Sequence, residues 1–282
     1  MTTGDPISLK RRTTSEVDPY RMELSHGAMR VQYDLDLNAP SQRFIYDCCQ
    51  GGGVYEAATA FLMTQVLRPG DTFVDVGAHV GFFTMIAGAI VGPAGRVIAF
   101  EPNAENFAAL QNNATLNGFA HVTCINSAVG DRDGEATFFE NLDNDGGHAL
   151  WDPGLHPFNE QSRDRQAMRR LPIARLDTVL PSLGVGSVKA VKIDTEGAEV
   201  QVLDGGRQCL AAPGLALLVC EDNEFGLERM GTSGVELRRA LDKLGFAVCV
   251  LDGKGGLQQI AVDAPHQSAS VDNFYCVRPP KP

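Results

Sequence analysis

The sequence predicts an α/β fold with a mostly parallel sheet and helices on both faces. Short apolar runs of strand length recur along the chain, segments of helix length lie between them, and turn residues separate the two. Strands that alternate with helices indicate parallel βαβ units, and such strands form continuous apolar runs because both of their faces are buried. Seven core strands are expected on this pattern.

The chain begins with a less regular segment. Within it, Val31–Leu37 alternates as a half-buried strand does. A helix is expected over Val54–Leu67, where Pro69-Gly70 stops it. We therefore predict an N-terminal extension, residues 1–53, followed by one domain, residues 54–282.

Strands and helices then follow in turn. The expected strands are Thr72–Val76, Arg96–Phe100, Val122–Asn126, Val188–Ile193, Leu215–Cys220, Phe246–Leu251 and Asn273–Val277. The expected helices are Gly81–Ile90, Ala104–Leu116, Ala198–Leu210 and Gly234–Leu244.

The regular pattern lapses over residues 131–171, before the fourth strand. Glu135–Phe139 could form a strand, and the remainder is typical of a loop. An irregular stretch of this length in a compact domain is usually functional or disordered. We interpret it as an insertion that closes over the acceptor, the molecule that reacts with the bound ligand.

The turn after the first core strand carries the clearest functional signal. Gly77 and Gly81 follow this strand, and the next strand ends at Glu101. Glycines let the backbone approach a ligand, and an acid at the next strand tip can accept both hydroxyls of a ribose. Glu101 comes 24 residues after Gly77, close to the roughly 20 of nucleoside half-sites.

An acid before the first glycine indicates which nucleoside is bound. Dinucleotide sites use G-x-G-x-x-G around a pyrophosphate, whereas here Asp75 precedes Gly77 and three residues separate Gly77 from Gly81. An acid suits a cationic ligand without phosphate, such as S-adenosylmethionine. Alternatively, Asp75 only orients the turn by accepting backbone N–H bonds, or the motif is an ordinary βα turn.

Composition limits the partners. The 24 basic and 35 acidic residues give a net charge of −11, which argues against nucleic acid or an anionic membrane as a partner. The longest apolar run, Val80–Gly92, is shorter than the about 20 residues that span a bilayer. Seven cysteines without a C-x-x-C pair, and an N-terminus without an apolar signal core, favour the cytoplasm. We expect a small-molecule substrate, and a homodimer is an open alternative.

From about Tyr55 to Arg278 the chain resembles the FkbM family of S-adenosylmethionine-dependent methyltransferases. The matching segments are Val74–Thr84, Phe100–Asn103, Leu110–Asn113, Leu176-Asp177, Val191–Glu199 and Val202–Gly205. His79 departs from the family, which usually has Asn there. The resemblance implies the class I methyltransferase fold, a Rossmann-like sheet of seven strands, and methyl transfer to an oxygen of a sugar, a carrier-bound acyl group or a carboxylate.

The motif and the resemblance together indicate the residues that hold the cofactor. They are Glu56, Asp75, Gly77, His79, Gly81, Thr84, Glu101, Pro102, Asn103, Ser127, Ala128 and Asp194. Glu56 would face the methionine ammonium, or it is a solvated acid at a helix start, where the helix dipole favours it. Ser127 and Ala128 would contact the adenine, or they only pack a loop.

Candidate catalytic residues lie at the end of the fourth strand and in the insertion. Lys192 and Asp194 share one face of the strand, and each needs a partner because a buried lone charge is costly. Glu196 and Glu199 follow at a helix start, where Glu199 could instead be a capping acid. His148 is the leading base for a hydroxyl acceptor, although a loop histidine is often only solvated. The single tryptophan, Trp151, either covers the acceptor or anchors the loop.

A metal site is a further hypothesis. Asp194 ends one strand, and Asp222-Asn223 follow the next, 28 residues later. This resembles the magnesium site of catechol O-methyltransferases, and Mg²⁺ bound to these oxygens could lower the pKa of an acceptor hydroxyl. Alternatively, Asp222-Asn223 are turn residues, or they bind the acceptor.

We predict in-line transfer of the methyl group of S-adenosylmethionine to an oxygen. Two alternatives stay open. A nicotinamide-dependent oxidoreductase shares the half-site but would require the pyrophosphate glycines. A non-catalytic module would bind the cofactor and leave the acids at the acceptor side unused.

Overall fold

The computed structural model describes residues 8–11, 20–27, 29–252, 255–264 and 272–278. Its strands are β1 (Ser8–Arg11), β2 (Tyr20–His26), β3 (Met29–Leu35), β4 (Thr72–Val76), β5 (Arg96–Phe100), β6 (Val122–Ile125), β7 (Ala128–Val129), β8 (Gly134–Glu140), β9 (Ala167–Ala174), β10 (Ala190–Ile193), β11 (Leu217–Asp222), β12 (Ala247–Leu251), β13 (Leu257–Gln259) and β14 (Asp272–Val277). Its helices are α1 (Pro40–Cys49), α2 (Ala57–Val66), α3 (Phe82–Val91), α4 (Ala104–Leu116), α5 (Glu160–Asp164), α6 (Leu176–Ser182), α7 (Glu199–Gly205), α8 (Arg207–Leu210), α9 (Glu224–Arg229) and α10 (Gly234–Lys243).

The central sheet has eight strands in the order β6-β5-β4-β10-β11-β14-β12-β13. Neighbouring strands from β6 to β11 are parallel, whereas β14 is antiparallel to both β11 and β12. The seven predicted strands are all present. β13 adds an eighth, antiparallel to β12 at the edge.

Helices cover both faces of this sheet, as expected. Successive strand residues point to opposite faces, so Phe73 packs into one buried cluster and Val74 into the other. The first cluster includes residues of α1 to α4, and the second includes residues of α6 to α10. The helix predicted over 198–210 is divided into α7 and α8 at Gly205-Gly206, because glycine is a poor helix former.

The N-terminal extension packs on the first face. Met22 and Tyr33 of the β2–β3 hairpin belong to the same buried cluster as α3. The edge of β3 is capped by amide side chains of α4 and its C-terminus: Asn113 accepts the N–H of Asp34 at 2.8 Å, and Asn117 accepts that of Gln32 at 2.8 Å. The β3 strand was expected from its alternation, whereas β2 and α1 were not.

The insertion begins and ends in regular structure. β8 and β9 pair antiparallel, and β7 joins β9 to complete a sheet of three strands. The irregular part therefore runs from 141 to 166 and contains only short helical turns. β9 was not predicted, because Met168-Arg169-Arg170 interrupt its alternation and Pro172 disfavours a strand.

In the part of the chain that the structure describes, no helix is long and apolar enough to cross a bilayer. All seven cysteines are free thiols.

Candidate active site

A cavity of about 410 Å³ opens at the carboxyl ends of the parallel strands, where open α/β sheets bind ligands. Its wall includes residues directly after β4, β5 and β10, namely Gly77, Glu101 and Asp194. The cavity is lined by Ser41, Phe44, Ile45, Tyr55, Glu56, Val76, Gly77, His79, Phe100, Glu101, Pro102, Asn106, Ser127, Ala128, Val129, Phe138, Asn144, Gly146, His148, Ala149, Leu150, Asp194, Thr195, Glu196, Ala198, Glu221 and Asn273.

Glu101 is held rigidly at the tip of β5. Its Oε1 accepts the N–H of Asn103 at 2.8 Å, and its Oε2 accepts the N–H of His79 at 2.8 Å. Burial raises the pKa of Glu101 to about 7, although the His79 ring and these N–H groups lower it. Each oxygen keeps a second lone pair, so an ionised Glu101 can accept both hydroxyls of a ribose.

Gly77 is required by the crossing of two turns. Its φ is +79°, and a Cβ at this position would lie 1.7 Å from the carbonyl oxygen of Asp194. The N–H groups of Gly77 and Ala78 both donate to the carbonyl of Phe100, at 3.0 and 2.9 Å. The glycine thus lets the turns after β4 and β10 approach each other closely in the cavity wall.

His79 has the backbone conformation that explains its place in the turn. Its φ is +52°, in the left-handed region, where His and Asn are enriched among non-glycine residues. Histidine can therefore occupy this position without disturbing the turn.

Asp75 lies under the cavity and does not line it. It is 1% exposed, and its Oδ2 accepts the hydroxyl proton of Thr84 at 2.5 Å. Lys192 is level with it on the neighbouring strand. Burial raises the pKa of Asp75 to about 6, against the opposing effects of Lys192 and Thr84. Its contacts favour the alternative in which it organises the turn, although its partner is a hydroxyl rather than a backbone N–H.

Three other candidate cofactor residues also lie outside the lining. Gly81 begins α3, and Thr84 of α3 bonds Asp75. Asn103 caps α4, with Oδ1 accepting the N–H groups of Glu105 at 2.9 Å and Asn106 at 3.0 Å. Its backbone N–H positions Glu101. These three residues support the cavity wall without lining the cavity.

Acids crowd the opposite part of the cavity. Asp194, Glu196 and Glu221 each offer a carboxylate oxygen within 4.8 Å of the others. Lys192, which is 3% exposed, places Nζ 2.5 Å from Oδ2 of Asp194. Lys192 and Asp194 were each expected to have a partner, and they are partners of each other in this ion pair.

Mutual repulsion acts on these acids. Burial, followed by the charges of Asp194 and Glu199, raises the pKa of Glu196 to about 8. Burial, Asp194 and Glu196 raise the pKa of Glu221 well above its usual value. A cationic group bound in this part of the cavity would relieve the repulsion.

Glu56 lies both at the start of a helix and in the cavity wall. It precedes α2, and it also lines the cavity. Its Oε2 accepts the hydroxyl of Thr59 at 3.0 Å and the amide of Asn273 at 2.9 Å. The carboxylate is thus fixed near the other acids.

The predicted metal ligands Asp222 and Asn223 do not lie in the cavity wall. Strand register gives the reason: Ile193 pairs with Cys220, so Asp194 comes level with Glu221, and Asp222 belongs to the opposite face of β11. Asn223 caps α9 by accepting the N–H of Gly226 at 3.0 Å. Its amide donates to Oε2 of Glu196 at 2.7 Å. The acid beside Asp194 is therefore Glu221.

Glu199 acts as a capping acid, the alternative considered for it. Its Oε1 accepts the N–H of Thr195 at 3.0 Å, the hydroxyl of Thr195 at 2.8 Å and the N–H of Gly197 at 3.1 Å. Burial raises the pKa of Glu199 to about 7. It does not line the cavity, so its contacts stabilise the turn that carries Glu196.

His148 lines the cavity, and its Nδ1 is occupied as a hydrogen-bond acceptor. Its Nδ1 accepts the N–H of Asn141 at 2.9 Å, so the neutral ring carries its proton on Nε2. Burial lowers the pKa of His148 to about 4. With no free lone pair, this ring cannot serve as the expected base, but it can donate a hydrogen bond into the cavity.

Trp151 anchors the insertion. Its Nε1 donates to the carbonyl oxygen of Glu196 at 2.6 Å, and its ring meets that of Phe225 at 5.5 Å between centroids. His156 contacts the same Phe225 ring at 4.8 Å. Neither Trp151 nor His156 lines the cavity, so the anchoring alternative describes Trp151.

Several lining residues were missed by the sequence interpretation. Counting by two along β11 from Leu217 would have selected Glu221 rather than Asp222. Helix α1, which supplies Ser41, Phe44 and Ile45 to the wall, had a weaker signal: Pro40 at its first position is favourable, as in many helices.

Fold and cavity together define an α/β protein with a cavity at the carboxyl ends of its parallel strands. The methyltransferase FkbM domain family matches residues 75–248, so the chain belongs to this family. The predicted family and fold class are thereby confirmed.

Individual relatives are more distant. The chain is 28% identical over 160 residues to the 31-O-demethyl-FK506 methyltransferase FkbM of Streptomyces tacrolimicus, covering 49% of this chain and 60% of that protein. It is 28% identical over 170 residues to the AMB antimetabolite synthetase AmbE of Pseudomonas aeruginosa, covering 50% of this chain and 8% of that protein. A crystal structure of methyltransferase FkbM from Methylobacillus flagellatus KT is 16% identical, with a TM-score of 0.44, and covers 77% of this chain and 50% of that chain.

Proposed function

We propose that the protein transfers the methyl group of S-adenosylmethionine to an oxygen atom of a small molecule. The observation that carries the proposal is one cavity with two complementary parts. Glu101, between the β4 turn and α4, suits a ribose, and the carboxylates around Asp194 suit a sulfonium and its ammonium. Family membership supports methyl transfer.

Donor orientation follows from this arrangement. The adenosine would lie between Glu101 and the wall formed by Ser127 and Ala128, and the methionine would extend toward Glu56 and Asp194. The activated methyl group would then face the acids at the ends of β10 and β11. The donor supplies the reactive group, and the protein supplies alignment and exclusion of water.

Transfer to an oxygen also requires a proton acceptor. The acceptor oxygen attacks the methyl carbon, the C–S bond breaks, and S-adenosylhomocysteine leaves as the hydroxyl proton passes to a base. Because the Nδ1 lone pair of His148 already accepts the N–H of Asn141, we assign the base to the carboxylates, first to Glu196. Its pKa of about 8 is suited to proton transfer near neutral pH.

The name of the Streptomyces relative, a 31-O-demethyl-FK506 methyltransferase, also points to an oxygen acceptor in that protein. For this chain, the small-molecule acceptor, the cytoplasmic location, the absence of nucleic-acid and membrane partners and the homodimer stay predictions.

Binding of S-adenosylmethionine is the first test. Glu101→Gln keeps the side-chain size but removes the charge, so binding of the donor and of S-adenosylhomocysteine should weaken by about 1.5–3 kcal/mol in calorimetry. Glu105→Gln, at an exposed acid on α4, is the matched control. Tighter binding of a nicotinamide dinucleotide would refute the proposal. Donor binding without turnover on any acceptor of a hydroxyl and carboxylate panel would favour the non-catalytic module.

As the alternative to Glu196 acting as a base, we propose a divalent cation that activates the acceptor. Asp194, Glu196 and Glu221 provide three carboxylates, and Oε2 of the buried Glu221 has no hydrogen-bond partner among the described residues. Oxygen ligands of this kind fit Mg²⁺ or Mn²⁺. Such an ion would lower the pKa of an acceptor hydroxyl.

Direct measurement of metal binding tests the proposed cation site. Mn²⁺ should bind the metal-free protein, as seen by electron paramagnetic resonance, and Glu221→Gln should weaken that binding about tenfold or more, whereas exposed Glu228→Gln should not. Full turnover in excess EDTA would exclude the cation and leave the methyl transfer itself untouched.

A further inference from the structure

Asp145, in the irregular part of the insertion, joins three separate elements. Its Oδ1 accepts the N–H of Ser41 at 2.7 Å, and its Oδ2 accepts the amide of Gln42 at 3.2 Å. The same Oδ2 lies 2.9 Å from Nε2 of His79. Asn106 of α4 donates to its carbonyl oxygen at 2.7 Å. Such a set of contacts fixes the insertion against the cavity.

Part of this set completes helix α1. The helix has Ala39 at its N-cap, without a side-chain hydrogen bond, and no acid in its first turn. A helix N-terminus has N–H groups without partners and favours a negative charge. Asp145 supplies both the acceptor and the charge from a distant part of the chain. Although burial raises its pKa, the His79 ring and the Ser41 N–H hold the pKa of Asp145 below its usual value.

The other part leads to the strand-tip acid. The ring of His79 donates to the Asp145 carboxylate, and the backbone N–H of His79 donates to Oε2 of Glu101 at 2.8 Å. His79 is fixed in the left-handed conformation between these two bonds. Asp145 and Glu101 are therefore joined through a single residue.

We propose that Ser41, His79 and Asp145, which we name the clasp, hold the insertion closed over the ribose of the donor. Ser41 and His79 line the cavity, as do Asn144 and Gly146 on either side of Asp145, so opening the clasp removes part of the wall. Asp145 is a positioning residue, because it acts on the donor through His79 and Glu101. The inference rests on the proposed function, since it places the ribose at Glu101.

Donor binding to four variants tests the clasp. Asp145→Ala removes the contacts of the Asp145 carboxylate with Ser41 and His79. His79→Asn suits the left-handed turn and keeps the backbone N–H for Glu101, but it loses the reach to Asp145. Arg43→Ala is the matched control, since Arg43 is exposed on the same helix α1 and bonds Asp47 rather than Asp145. The fourth variant combines Asp145→Ala with His79→Asn.

Calorimetry gives the dissociation constants of S-adenosylmethionine and S-adenosylhomocysteine. Trp151, the single tryptophan, lies in the same insertion and reports dissociation rates by fluorescence. Asp145→Ala and His79→Asn should each raise both dissociation constants about tenfold, mainly through faster dissociation, and the double variant should add little. Arg43→Ala should stay within about twofold of the wild type.

Additive effects of the two substitutions, or wild-type affinity in His79→Asn, would overturn the clasp. If Asp145→Ala fails to fold, His79→Asn alone still decides, because it leaves α1 capped. Hydrogen exchange in the ligand-free protein separates this inference from the proposed function. Unchanged hydrogen exchange over residues 141–148 in His79→Asn would refute the clasp. A wild-type protein that binds no S-adenosylmethionine would instead refute the proposed function.

Discussion

Charge on single residues decides the chemistry of this site. Glu196 is bonded at Oε2 by the amide of Asn223 and has a pKa of about 8 because of burial and its acidic neighbours. As a base it must be ionised, so kcat/KM should rise with pH, with unit slope, up to about pH 8.

Glu196→Gln tests this assignment. Glutamine can still accept from Asn223 through its carbonyl oxygen, so the fold should be kept. Turnover should fall by about 10²–10⁴, the rising limb of the pH profile should vanish, and calorimetry should show donor affinity within about threefold of the wild type. A Gln variant that keeps the same limb would assign the proton transfer to another carboxylate.

Residues that belong to a continuous motif could be predicted from the sequence. Glu101 and Gly77 were placed correctly in the cavity wall because strand, turn and next strand tip are adjacent in the chain. Glu221 was missed by one position, because the register of β10 against β11 is a contact between distant segments. The donor role of His148 depends on a backbone N–H seven residues away, and composition does not encode it.

Elements with a simple period were also predictable. All seven core strands were found, since each is an apolar run with turn residues on both sides. α1 and β2 gain their stability from packing in the first buried cluster, so local pattern gave little indication of them. The contribution of α1 to the cavity wall therefore became visible only in three dimensions.

The insertion as an element should depend on Trp151. Trp151→Phe keeps a ring against Phe225 but removes the N–H that bonds the Glu196 carbonyl. The loss of one hydrogen bond, about 0.5–1.5 kcal/mol, should raise amide exchange over residues 141–166 about 2- to 10-fold in hydrogen-exchange mass spectrometry.

Phe158→Ala is the control for this prediction, because Phe158 lies in the same segment and is 83% exposed. It should leave the exchange pattern nearly unchanged. Equal exchange in Trp151→Phe and the wild type would show that the insertion is held by other contacts, such as those of Asp145.

Over the whole molecule, the concentration of buried acids links stability to pH. Burial raises the pKa of Asp75 to about 6, of Glu101 and Glu199 to about 7 and of Glu196 to about 8. The folded-state pKa of each lies above its unfolded value, so each group favours folding when protonated. That contribution is complete below about pH 4 and is lost as the pH rises toward 8.

Acids whose folded-state pKa is lowered have the opposite effect on stability, and they limit the stability of the protein at low pH. The pKa of Asp145 is held below its usual value by His79 and Ser41, against the raising effect of burial. Its contribution is present above the unfolded pKa and is lost as the pH falls through the folded one. Stability of the ligand-free protein should therefore be greatest in mildly acidic solution rather than at pH 7–8.

Differential scanning fluorimetry from pH 4 to 9 checks this prediction. The melting temperature of the ligand-free protein should fall by about 5 °C or more between pH 5.5 and 8.5, since about 1 kcal/mol corresponds to about 2–4 °C in a chain of this size. Glu101→Gln removes one of the titrating groups, so its decline should be shallower. Saturating S-adenosylmethionine should also reduce the slope, because a cationic donor favours the ionised acids. A melting temperature that rises steadily to pH 8.5 without ligand would show that the buried acids are already compensated inside the folded protein.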